Sequence, residues 1–191
     1  MSDESQLRGS ERIVKGVESA PTASVTHHSS LITHQSFASI QWVDGIVRIL
    51  DQRLLPHQIV YGDYVDERAV AAAIRDMVIR GAPGIGAAGA YGLALAARRS
   101  EATEPRGLRD DLKRAAEILG ASRPTAVNLD WAIRRVMARV ADSGLSTVDA
   151  IRAATLDEAR RIAEEDARVN RRMGANALPL IPDDATIVHH C

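Results

Sequence analysis

The chain has 191 residues, 46% of them apolar, which is enough for one ordinary domain or a small domain plus part of a second. Its 24 Lys and Arg balance 25 Asp and Glu to a formal net charge of -1, and only 3% of residues are aromatic, which argues against a nucleic-acid surface or a base-stacking platform. A lone cysteine excludes an intramolecular disulfide, and with no hydrophobic leader in sight the expected setting is the reducing cytoplasm.

Residues Met1 to about Ser36 are rich in Ser and Thr and show neither helical nor strand periodicity, so residues 1–38 are expected to be a flexible extension. The acids Asp3, Glu4, Glu11 and Glu18 are wrong for a transit peptide. His27, His28 and His34 are too irregularly spaced for a metal site and read as solvated side chains.

Order is expected from residue 39 to 182. Ile40 to Val43, the turn Asp44-Gly45 and Ile46 to Leu50 read as a two-residue hairpin, and a third short strand is expected at Gln58 to Tyr61. Asp66 is an N-cap signal, after which Val70, Ile74, Met77 and Val78 recur at helical spacing until Gly81 closes the helix. The apolar run Ala82 to Ala97 is shorter than the roughly 20 residues that span a bilayer and is expected to be a buried helix. Leu108, Leu112, Ala115 and Leu119 form one later stripe, ending at Gly120, and Leu129, Ile133, Val136 and Val140 another. A last helix opens at Ser146, with Asp149 completing a variant capping box, and runs through Ile151, Ala159, Ile162 and Val169 to Gly174. Ala185 to His189 then reads as a buried strand. A lone strand needs neighbours, so residues 183–191 are expected to begin a second α/β domain that this chain lacks.

The chemistry concentrates in Arg80-Gly81-Ala82-Pro83-Gly84-Ile85-Gly86, an arginine leading a glycine-rich helix start. Pro83 suits a first helical turn, the glycines let a ligand approach backbone amides, and the dipole favours an oxyanion such as phosphate. The same glycines could instead serve close helix packing, and spacing alone does not separate the two. Ser122-Arg123-Pro124-Thr125 tips the balance towards an anion, because it places a second guanidinium fork just ahead of another helix start. Gly84-Ile85-Gly86-Ala87-Ala88-Gly89 matches the dinucleotide fingerprint literally, but a helix rather than a strand precedes it and no acid follows at the required distance.

Cys191 would lie at the carboxyl end of the first strand of an α/β domain, where side chains enter the ligand crevice, while His189 and His190 face opposite ways and make a shared metal site implausible. Asp166 near the apolar stripe reads as a buried, hydrogen-bonded structural group, and Asn128 and Asn170 as packing or capping residues. No Ser-His-Asp triad or paired-carboxylate constellation stands out.

Ile74-Arg75-Asp76-Met77-Val78-Ile79-Arg80-Gly81-Ala82-Pro83-Gly84-Ile85-Gly86, Ser122-Arg123-Pro124-Thr125-Ala126-Val127-Asn128-Leu129 and the terminal His190-Cys191 resemble the N-terminal part of the S-methyl-5-thioribose-1-phosphate isomerase family, which belongs to the initiation factor 2B alpha/beta/delta-like superfamily. The resemblance runs from about Ile40 to Cys191. It implies an α+β fold: a mainly helical N-terminal domain with a short antiparallel hairpin or sheet, followed by the first strand of a truncated Rossmann-like domain. It further implies substrate contacts at Arg80, Gly81, Ala82 and Arg123 and a catalytic role for Cys191.

The activity implied is an aldose–ketose isomerisation in methionine salvage, converting methylthioribose 1-phosphate to methylthioribulose 1-phosphate without cofactor or metal. The partners implied are a sugar phosphate and a second copy of the chain in a homodimer, with no nucleic acid or membrane. Two departures shape the expectation for this chain. The Asn-Thr-Gly usual after the cysteine and the family's aspartate acid are absent, so a truncated chain with half a site and little activity is expected. Gly84 also replaces a more usual alanine, and the leading extension is not a family feature. The alternatives within this superfamily are a ribose-1,5-bisphosphate isomerase and a non-catalytic assembly subunit of the initiation-factor exchange complex. A dimerising or misfolded remnant is a third possibility, because an unpaired strand has open edges.

Overall fold

The computed structural model describes residues 27–29, 38–186 and 188. Among the described residues are a four-stranded antiparallel sheet and five α-helices, and the sheet meets the helical layer at the second of them. Strands β2 (Ile40–Val43) and β3 (Ile46–Leu50) form the expected hairpin. Its turn residues Asp44 and Gly45 have φ of 49° and 88°, the paired left-handed geometry that matches strand twist. Strand β4 is Val60–Tyr64, shifted towards the C-terminus from the expected Gln58 to Tyr61. Cross-strand chemistry accounts for its register: Arg48 lies opposite Asp63 and grips its carboxylate with two hydrogen bonds of 2.7 and 2.8 Å.

Within the expected extension, His27–Ser29 forms a strand, β1, that pairs with β4 and gives the order β1-β4-β3-β2. Three residues are too few to display a period, and the pairing is a backbone ladder. The rest of that extension, residues 1–26 and 30–37, lies outside the described residues.

Helix α1 (Glu67–Arg75) starts where expected, with Asp66 accepting a hydrogen bond from the Ala69 amide at 2.7 Å. It does not run to Gly81. Met77 takes a left-handed φ of 59°, its amide bonds the Ile74 carbonyl at 3.3 Å, and the Val78 amide reaches back to Ala73 at 2.9 Å. This is a Schellman stop with a β-carbon-bearing residue in the glycine position. Val78 and Ile79 keep the apolar pattern going beyond the stop because they are buried in the bend that follows it, and periodicity alone cannot see the break. Replacing Met77, whose side chain is 44% exposed, by glycine should stabilise the fold by about 0.5–1 kcal/mol in urea unfolding; no gain would mean that its side-chain contacts outweigh the relief of strain.

Helix α2 (Ala82–Arg99) is the axis of the molecule, touching α1 and also α3 (Pro105–Ser122), α4 (Val127–Val140) and α5 (Val148–Ala177). Thirteen of its residues are buried, as expected of a helix apolar on every side. Its glycines set the approach distances. A β-carbon at Gly89 would meet Leu129 Cδ1 at 2.4 Å, one at Gly92 would meet Leu119 Cδ2 at 2.8 Å, and one at Gly86 would meet the Asn128 carbonyl at 3.0 Å.

The stripes expected on α3 and α4 are all buried. Helix α4 begins later than Pro124 because the Ala126 amide bonds the Arg123 carbonyl at 3.0 Å, closing a turn in which Pro124 occupies the position that suits its fixed φ. Helix α5 is capped by Thr147 rather than Ser146, its hydroxyl accepting from the Ala150 amide at 3.1 Å. Side-chain clamps join the layers. Arg109 of α3 donates to the Val140 and Leu145 carbonyls at 3.0 and 2.8 Å, and Arg152 of α5 donates to Ala97 and Ser100 at 3.1 and 2.7 Å.

The strand expected at Ala185 to His189 is not formed at its described positions. Ala185, Thr186 and Val188 are irregular and Val188 is 91% exposed, since a strand needs a ladder partner and none of the described strands lies alongside. Ile187, His189, His190 and Cys191 lie outside the described residues.

Candidate functional site

The stop after α1 leaves Val78 and Ile79 buried and carries Arg80 out to an exposed position. Gly81 follows with φ 84° and ψ 132°, and the Ile85 amide bonding its carbonyl at 3.0 Å starts α2. A β-carbon at Gly81 would meet nothing within 4 Å, so glycine is needed there for its backbone conformation and not for space. Pro83 sits in the first turn, where its missing N–H has no helical partner to lose.

The first turn of α2 faces the α3–α4 connection across a cavity of about 310 Å³. Gly81, Ala82 and Ile85 line one side, and Arg123, Thr125 and Asn128 belong to the other. Three of the residues expected at the site, Gly81, Ala82 and Arg123, thus share one cavity although Ala82 and Arg123 lie 41 positions apart in the chain. Arg80 is not among the lining residues; it stands one residue outside the wall. Neither guanidinium is held in an ion pair or side-chain hydrogen bond among the described residues, and no carboxylate lines the cavity. Positive charge there is free to meet an anion. Cys191 lies outside the described residues.

Thr125 and Asn128 also line the cavity, although sequence reasoning does not mark them as ligand groups. They lie within the same short motif as Arg123, and their polar side chains are the signal the sequence offers. Asn128, expected to pack or to cap, makes no side-chain capping bond at the start of α4. Asn170 does bond locally, its amide donating to Asp166 Oδ1 at 3.1 Å and to the Asp166 carbonyl at 3.0 Å. Asp166 is half-buried rather than buried, and faces a second cavity of about 220 Å³ that Asn128 also lines.

The helices framing that second cavity are tied by charge. Arg135 on α4 donates to Glu158 at 2.6 Å and to both oxygens of Glu165 at 2.6 and 3.0 Å on α5, while its guanidinium lies 5.3 Å from the Trp131 ring centroid. The Arg135 hydrogen bonds hold the Glu165 carboxyl below the usual range and raise the guanidinium against the opposing effect of burial.

A larger cleft of about 440 Å³ lies between α1, the end of α2 and α3, but its charges neutralise one another. Arg99 pairs with Asp66 at 3.0 Å, and Asp111 takes both Arg114 and the Ser100 hydroxyl. Among the described residues no group of three or more His, Cys, Asp or Glu side chains could hold a metal, and no helix is long and apolar enough to cross a membrane.

Comparison with known proteins matches residues 78–191 to the initiation factor 2 subunit family. The chain is 47% identical over 156 residues to a methylthioribose-1-phosphate isomerase of Syntrophotalea carbinolica, covering 82% of this chain and 45% of the relative. It is also 47% identical over 155 residues to one of a Synechococcus species, covering 81% and 44%. In fold it superposes on the crystal structure of 5-methylthioribose 1-phosphate isomerase from Pyrococcus horikoshii with a TM-score of 0.73 and 38% identity, over 75% of this chain and 40% of that one. The delta subunit of translation initiation factor eIF-2B from A. fulgidus gives 0.72 and 39%, over 78% and 43%. The chain therefore spans less than half the length of the relatives it matches. With Arg80 and Arg123 both inside a match that begins just after Met77 and takes in all of α2 to α5, the chain belongs to the initiation factor 2 subunit family.

Proposed function

We propose that this chain carries the phosphate-binding part of an aldose–ketose isomerase that converts S-methyl-5-thio-α-D-ribose 1-phosphate to S-methyl-5-thio-D-ribulose 1-phosphate. The observation that carries this reading is the meeting of Gly81, Ala82 and Arg123 at one cavity with no carboxylate among its described lining residues, in a chain whose sequence relatives bear that activity in their names. Arg123 supplies a planar fork for phosphate oxygens, the backbone at Gly81 and Ala82 supplies donors at the positive end of α2, and Arg80 closes over the anion from outside the wall. Thr125 and Asn128 sit where sugar hydroxyls would lie.

The reaction is internally balanced. Ring opening breaks the C1–O4 bond and puts a proton on O4, one hydrogen moves from C2 to C1, and the C2 hydroxyl gives up its proton as it becomes a carbonyl, with no external oxidant or reductant. Cys191 is assigned to the reacting carbons by its place in the family motif. On this reading residues 39–182 form the domain that binds phosphate and residues 183–191 lead into a Rossmann-like one, with 1–38 an extension. The protein would work in the cytoplasm as a homodimer.

A second reading, an assembly subunit without catalysis, is favoured by the nearly equal fit to the eIF-2B delta subunit. Titration of the purified chain with methylthioribose 1-phosphate, followed by ³¹P NMR, separates the two. The isomerase reading expects the phosphate resonance to broaden or shift and Arg80→Ala to weaken binding about three- to tenfold. No response at millimolar protein, or one indifferent to Arg80→Ala, would refute it in favour of the assembly role.

A further inference from the structure

The connection between β3 and β4 is irregular, yet it starts at the most buried charged side chain among the described residues, Asp51, which is 3% exposed. Its carboxylate accepts from the Arg53 amide at 3.0 Å and from the Arg53 guanidinium at 2.9 and 2.6 Å. The first bond closes an Asx turn, and the other two supply the countercharge that a buried carboxylate needs. Main-chain bonds hold the same turn: the Asp51 amide donates to the Val60 carbonyl at 2.8 Å, and the Leu54 amide donates to the Asp51 carbonyl at 3.2 Å.

Gln52 is the central residue of the turn, and its amide donates outside it, to the Val78 carbonyl at 2.9 Å. Val78 is thereby held from both sides, because its own amide reaches Ala73 at 2.9 Å. Val78 and Ile79 are 5% and 0% exposed, so the two residues before Arg80 are fixed by packing as well. Arg80 has no side-chain partner among the described residues, and the backbone that delivers it sets its direction. Hydrogen bonds from Asp51 raise the Arg53 guanidinium against the effect of burial, and Asp76 at the end of α1 adds to the rise. The turn and the stop of α1 thus share one electrostatic neighbourhood.

We infer that Asp51 is a positioning residue for the anion site: it shapes the turn that presents the Gln52 amide to Val78, and so fixes the line along which Arg80 reaches the phosphate. This rests on the phosphate reading above and deepens it. The sheet lines no part of the cavity beside Arg123, and on this inference it contributes to binding through one main-chain bond. A turn that merely joined two strands would make Asp51 matter for stability and not for the anion.

Titration of the 191-residue chain with ribose 1-phosphate, followed by ³¹P NMR, tests this through a double-mutant cycle. Asp51→Ala removes the acceptor of the Arg53 amide and should weaken binding about three- to fivefold. In an Arg80→Ala background the same change should weaken it by less than about twofold, whereas in an Arg123→Ala background it should keep its full effect. Asp51→Asn retains an oxygen for the Arg53 amide and should restore most of the affinity. Where Asp51→Ala does not fold, Arg53→Ala, at a half-exposed side chain, carries the same cycle with an expected loss of about twofold. Unchanged affinity in these variants, or an equal loss with and without Arg80, would overturn the positioning role, and binding still dependent on Arg123 would leave the phosphate site standing. Binding indifferent to Arg80→Ala and Arg123→Ala alike would overturn both.

Discussion

Arg123→Ala should weaken ribose 1-phosphate binding about thirtyfold, measured by calorimetry, while leaving urea unfolding within about 0.5 kcal/mol of the parent chain. The two halves of this expectation have separate causes. Arg123 is half-buried beside the cavity, and its guanidinium has no side-chain partner among the described residues, so its removal breaks no internal bond. A bound phosphate would lose one or two charge-assisted hydrogen bonds, each worth about 1.5–3 kcal/mol when well aligned. Arg123→Lys should restore only part of the loss, because an ammonium offers a point charge where the site presents a fork. Full affinity in the lysine variant would show that net charge, not geometry, is what the position supplies. A large fall in stability in the alanine variant would instead make Arg123 structural.

Gly89→Leu should destabilise the fold by about 2–3 kcal/mol, lowering the melting temperature by roughly 5–10 °C for a chain of this size. A β-carbon at this position already overlaps Leu129 Cδ1 at 2.4 Å, and Leu129 is 1% exposed with little room to retreat. The gain of about 1 kcal/mol in helix propensity over glycine only partly offsets the overpacking. Gly89→Ala should be close to neutral by the same balance. Adding Leu129→Ala to Gly89→Leu should recover part of the loss by exchanging volume across the α2–α4 contact. If the double variant is less stable than Gly89→Leu by the full cost of Leu129→Ala alone, the two positions do not share the space the structure assigns them.

Much of this architecture is legible in the sequence where one local rule acts alone. Asp44-Gly45 specifies a paired left-handed turn, Asp66 caps α1, and the stripes at Leu108 to Leu119 and Leu129 to Val140 are the buried faces of α3 and α4. The departures arise where two rules compete. Val78 and Ile79 prolong a helical pattern although Met77 has already turned the chain out of it. Pro124 signals a helix start but serves a turn closed by Ala126, and β1 is recruited by the ladder offered by β4 rather than by any pattern of its own.

The site divides in the same way. Gly81, Ala82 and Arg123, which line one cavity, belong to two short contiguous motifs, whereas the second cavity, lined by Pro83, Trp131, Ile162, Asp166 and Val169, gathers three helices and has no linear signature. The glycines of α2 could not be divided by sequence between ligand approach and packing. The structure divides them: Gly81 has the special backbone conformation, and Gly86, Gly89 and Gly92 admit neighbouring helices.

That division bears on how the molecule assembles. Helix α2 carries Gly84, Gly86, Gly89 and Gly92, each costing about 1 kcal/mol relative to alanine in an isolated helix. Its sequence therefore favours coil until α3, α4 and α5 surround it, and the stripes of α3 and α4 meet it directly, Leu119 at Gly92 and Leu129 at Gly89. Helix formation in the central axis is thus coupled to docking of its neighbours. Because the cavity beside Arg123 has the first turn of α2 as one wall, it takes shape only together with that docking.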